Sequence, residues 1–215
     1  LIHKFVNLLI KMENIDEHDK LINLTYLLLP QKMSEEIEGR IIDIKRKEKL
    51  VADEHSKQVD ENIREKVNSY IEKVEQLLKD KLFDDSLILL KESLPFVKQE
   101  RDNVLRKKWL NLCNDAYSNR LSNRDHAALI NSVNEFYKEA FSVYKGDMGP
   151  ITQECMDDPR QAALYYTRYE PFMNVNDENK INEMFDVLTT NFFKYKGYDS
   201  FLCIVVITKY FFMHY

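Results

Sequence analysis

The sequence predicts an all-α protein, a bundle of about nine antiparallel helices arranged as a superhelical stack in one domain. Three observations carry this expectation. The 215 residues include only four glycines and five prolines, so little in the chain breaks helices. Apolar residues recur at helical spacing in almost every long segment. With 44% hydrophobic residues, the chain is also long enough to bury a substantial core.

The elements follow in order. Residues 1–12 carry Ile2, Phe5, Val6, Leu8, Leu9 and Met12, a short helix with a broad apolar face. Asn14 and Asp16 interrupt it, and a second helix runs from Asp16 or His18 to Leu29, closed by Pro30. Ser34 followed by Glu35 and Glu36 reads as an N-cap with acids in the first turn, opening a helix through Ile37, Ile41, Ile42 and Ile44. The highly charged run 45–57 is expected to be the water-exposed tip of a helix hairpin. Residues 60–80 set Ile63, Val67, Tyr70, Ile71, Val74, Leu77 and Leu78 on one face of a long helix. A shorter helix over 83–90 and a turn around Pro95 come next, then a helix over 100–121 through Val104, Leu105, Trp109, Leu112, Cys113, Ala116 and Tyr117.

The helix that follows gathers Val133, Phe136, Tyr137, Ala140, Phe141 and Tyr144 on one face and Glu135, Lys138, Glu139 and Lys145 on the other. Gly146 and Pro150 supply its stop. Pro159 sits at the first turn of a helix through Ala162, Ala163, Tyr165, Tyr166 and Tyr169, which Pro171 ends. Helices over 177–193 and 199–214 complete the chain. No fixed period of tetratricopeptide length emerges, although a superhelical stack of helix pairs remains the nearest architecture.

Composition excludes several functions. The net charge of −5 is spread among interleaved acids and bases, which leaves no electrostatic footprint for nucleic acid. Cys113, Cys155 and Cys203 lie far apart, as in a reduced intracellular protein, and no Cys or His pair has metal-ligand spacing. The apolar run 201–213 is too short for a bilayer and contains Lys209, so no membrane span is expected. There is no Gly-rich phosphate loop and no recognisable nucleophile beside a base. The reading is therefore a cytoplasmic non-enzyme without cofactors.

Short segments in the right order resemble the 14-3-3 family along nearly the whole chain. Tyr137-Lys138-Glu139-Ala140-Phe141 followed by Met148-Gly149-Pro150 is similar to the family's Tyr-x-Glu-Ala-Phe and Met-x-Pro-Thr. Glu17 to Tyr26, Arg40-Ile41-Ile42, Arg64-Glu65-Lys66-Val67, Asp115-Ala116-Tyr117, and Tyr198-Asp199-Ser200 with Leu202 resemble further family segments. The resemblance implies a cup-shaped helical adaptor that binds phosphoserine or phosphothreonine peptides in a groove. Two arginines, a lysine and a tyrosine hydroxyl would grip the phosphate, and asparagines would hold the peptide backbone.

Carried over position by position, that grip is altered. The lysine falls on Leu27 and one arginine on Ser34, or near Glu36. The Arg-Tyr pair falls on Ser118 and Asn119, with Arg120 the nearest arginine. The asparagine of the Pro159 helix falls on Gln161 or Arg160, with Leu164 a further groove position, and the last helix offers Tyr210 and His214. The expected result is a retained fold with a degraded phosphate site, in which Lys32, Arg40, Arg120 or Arg160 could take over. The plain structural alternatives are that Arg120 complements a helix C-terminus, that Trp109, Tyr165, Tyr166 and Tyr169 pack between helices, and that Tyr210 and His214 pack in an unused groove. The expected partners are phosphorylated or other protein segments. The family's first helix, which dimerises, precedes the counterpart of Leu1, so a homo- or heterodimer is expected to be weakened. The alternative function is a structural interaction protein of this fold that has lost phosphopeptide binding.

Overall fold

The computed structural model describes residues 31–142 and 152–215. Among the described residues every regular element is helical, with eight α-helices, one 3-10 turn and no strand. The chain divides into two compact units, Leu1–Val59 and Asp60–Tyr215. The helices anticipated over 1–12 and 16–29, and the stop at Gly146 and Pro150, lie outside the described residues.

The first helix, α1, spans Gln31–Lys79 without interruption and corrects two expectations. Ser34 lies buried inside it and is not an N-cap, and the charged run 45–57 is a continuation of the helix and not a hairpin tip. The physical reason is composition: residues 40–94 contain neither glycine nor proline, and Lys, Glu, Arg, Leu and Ala are all strong helix formers. Water exposure was anticipated correctly, since residues 46–59 are all exposed. A charged run supplies a solvated face, but a turn needs a breaker.

The second unit holds the core. Its share of α1 contributes Val67, Ile71 and Val74, all essentially inaccessible to water. Helix α2, Phe83–Gln99, passes through Pro95, where a turn was expected. The missing proline N–H orphans only the carbonyl of exposed Lys91, while Ser93 and Val97 on either side are buried and hold the helix in place. Helix α3, Asn103–Asn119, is capped by Asp102, whose carboxylate accepts from the amides of Val104 at 2.9 Å and Leu105 at 3.3 Å. Helix α4 is Asn123–Ser142, and α5 is a short helix over Gln153–Asp157 that the pattern did not reveal. Helix α6, Pro159–Tyr169, begins with proline at its first turn as expected, and Asp158 caps it through the Gln161 amide at 2.8 Å. Pro171 then lies in the 3-10 turn Glu170–Phe172. Helix α7, Glu178–Lys194, is capped by Asp177.

The last helix, α8, Tyr198–His214, is apolar nearly all round and buries nine residues from Ser200 to Phe211. A helix without a polar face must be enclosed, and α8 packs against α3, α4, α6 and α7. It enters through Gly197, whose φ of +97° favours glycine. Trp109 of α3 is fully buried, with its indole N–H donating to Ser93 Oγ at 2.8 Å and its ring beside Phe185 and Phe193. Thus the chain's largest side chain ties α3 to both α2 and α7.

Candidate binding cleft

Within the second unit, the positions implied by the resemblance are divided between the buried core and separate surfaces. Leu27 lies outside the described residues, and Ser34 belongs to the first unit, as do the candidate cations Lys32 and Arg40. Leu164 is 3% exposed and Tyr210 1%, both part of the second unit's core. His214 is exposed at the end of α8, its ring tilted against the Tyr210 ring at 4.6 Å and 3.9 Å from the Glu170 carboxylate. Gln161 gives its backbone N–H to the α6 cap, and its side chain is exposed.

Arg160 is already engaged. Its guanidinium bridges Glu139 of α4 at 2.6 Å and Asp199 of α8 at 3.1 Å. The hydrogen bond to Glu139, outweighing partial burial and helped by Asp199, raises its pKa further above the ordinary arginine value. A phosphate arriving here would have to displace two carboxylates, so Arg160 acts as a clamp between three helices.

Arg120 is placed differently. It follows the last residue of α3, as the helix-terminus reading anticipated, with its guanidinium 4.5 Å above the Tyr117 ring. Its carboxylate partner, Asp84, is 3.5 Å away and 85% exposed, and pairs of that kind are worth at most about 1 kcal/mol. Ser118 and Asn119 precede it; the Asn119 amide turns back to the Asp115 carbonyl at 2.9 Å. Of this trio, Arg120 lines a cleft.

That cleft, of about 300 Å³, lies between α2, the C-terminal end of α3, the end of α7 and the start of α8. Leu87, Ile88, Phe192 and Phe193 make its apolar wall, while Lys91, Arg120 and Lys196 bring three cations against the single carboxylate of Asp84. On a chain with net charge −5, this is a locally positive surface. Tyr117 braces the floor: it stacks on Phe201 at 4.5 Å, and its hydroxyl donates to the Gly197 carbonyl at 3.0 Å. Burial raises the Tyr117 pKa, with Arg120 opposing the shift, so the phenol stays protonated and keeps that bond at neutral pH.

The sequence did not reveal Asp84, Ile88, Lys91 or Lys196 as neighbours. Their one local signal is Ile88, an apolar residue off the buried face of α2. That face is Ser86, Leu90, Ser93 and Val97, and Ile88 is 58% exposed. Among the described residues, no cluster of three His, Cys, Asp or Glu could hold a metal ion, and no helix is long and apolar enough to cross a membrane.

Compared with protein-family models, curated proteins and solved structures, this chain matches none.

Proposed function

We propose that this chain is a divergent adaptor of the 14-3-3 kind. It binds phosphoserine- or phosphothreonine-containing protein segments, with the phosphate re-sited to Arg120 and its cleft. The observation that carries this reading is the convergence of Arg120, Lys91 and Lys196 beside an apolar wall, with Arg120 resting on the Tyr117 ring and paired to an exposed carboxylate. A phosphate carries nearly two charges and three acceptor oxygens, which such a set of donors suits. Charge-assisted hydrogen bonds are each worth about 1.5 to 3 kcal/mol. The experiment is a fluorescence-polarisation titration of a phosphoserine peptide against the wild type, Arg120→Ala and Arg160→Ala. Arg120→Ala is expected to weaken binding about tenfold or more, and Arg160→Ala much less. Equal binding by all three would refute the assignment.

A second reading is favoured by the burial of Leu164 and Tyr210. In it, the groove implied by the resemblance is filled by the chain's own side chains, and partners bind without regard to phosphorylation. A cytoplasmic location and a weakened homo- or heterodimer belong to both readings, and sedimentation equilibrium measures the latter.

A further inference from the structure

We propose that the cleft reads an extended partner segment in a fixed register: a phosphorylated serine or threonine at Arg120, and a large apolar side chain two residues away on Ile88. This rests on the phosphate-binding reading of Arg120. Asp84, Ile88 and Lys91 stand at i, i+4 and i+7 on α2, so they share the face that lines the cleft. Asp84 lies 3.5 Å from Arg120 and therefore marks the level of the phosphate along α2.

At 1.5 Å per residue, Ile88 is about 6 Å and Lys91 about 10 Å further along the helix axis. An extended peptide advances about 3.3 Å per residue and returns a side chain to the same side every second residue, about 6.6 Å on. The two rulers coincide at a spacing of two residues. Ile88, 58% exposed, is thus placed to receive an apolar side chain when the phosphate sits at Arg120. Lys91, one turn further, reaches an acidic group at the third or fourth residue. Complementary charge identifies the occupant as anionic, since the lining carries three cations and one carboxylate. Asp84 must yield Arg120 to the incoming phosphate, an exchange its exposure makes easy.

The test uses the full chain and four fluorescent peptides of identical amino-acid composition apart from the phosphate. Three carry phosphoserine, with leucine two residues after it, two residues before it, or adjacent to it; the fourth is an unphosphorylated twin. One of the two peptides with the two-residue spacing is expected to bind about tenfold tighter than the adjacent one. Ile88→Ser, at an exposed position, should erase that difference while leaving phosphate dependence intact. Affinity independent of spacing, or an Ile88→Ser variant that keeps the spacing preference, overturns the register. If Arg120→Ala still weakens every phosphopeptide in that case, the phosphate reading stands without the register. If neither phosphorylation nor Arg120 matters, both fall.

Discussion

Replacing Arg106 by alanine tests how the second unit is held together. Arg106 is 4% exposed, and desolvation lowers its pKa against the opposing attraction of Glu100. Its guanidinium donates to the Asn182 side-chain oxygen at 2.7 Å, to the Lys98 carbonyl at 3.1 Å and, at 3.4 Å, to the Val97 carbonyl, and lies 4.9 Å from the centre of the Phe185 ring. It therefore closes the C-terminal end of α2 and ties α3 to α7. Two good hydrogen bonds from a charged donor, at about 1.5 to 3 kcal/mol each, give an expected loss of about 3 to 6 kcal/mol. For a domain of this size that lowers the melting temperature by about 6 to 24 °C. Urea denaturation followed by circular dichroism measures the loss, with Arg160→Ala as the comparison, because its ion pairs are partly exposed and expected to contribute about 1 kcal/mol or less. A cost for Arg106→Ala no larger than that for Arg160→Ala would refute the account of α2 and α3.

Three further outcomes are expected. Trp109→Phe removes the donor to Ser93 and leaves a void beside Phe185 and Phe193, costing about 1 to 3 kcal/mol by the same denaturation assay. Gly197→Ala meets no atom within 4 Å of the added carbon, so its cost is the backbone strain at φ +97° and ψ −174°, about 1 to 3 kcal/mol in the same measurement. Burial, with Glu170 adding to it, pushes the phenols of Tyr137 and Tyr210 up to about 12. The native state therefore keeps protons that the unfolded chain releases near the ordinary value of about 10, and stability present below pH ~10 is lost as pH rises toward ~12. Spectrophotometric titration of phenolate, run beside the unfolding curve, checks that window.

Much of the fold was legible because it is local. The apolar character of α8 and the proline opening α6 each act within a few residues. The extent of α1 was misread because high charge was taken as a signal for a turn, whereas only glycine or proline would have supplied one. The site was less legible because it depends on distant pairings. Arg160 meets Glu139, 21 residues earlier, and Asp199, 39 residues later. Nothing in its local pattern distinguishes it from Arg120, whose carboxylate partner is 85% exposed. Likewise the buried face of α2 carries Ser86 and Ser93, which donate to the carbonyls of Leu82 and Leu90, while Ile88 faces out. Hydrophobic periodicity alone places those residues the other way.

The central claim is that this chain still recognises phosphate. Its most direct measurement is the affinity for one peptide in its phosphoserine form and in its dephosphorylated form, taken with the wild-type protein at low and moderate salt. The account predicts that the phosphorylated form binds at least about tenfold tighter and that this advantage shrinks as salt screens the three cations. Equal affinities for the two forms, at either salt concentration, would contradict it.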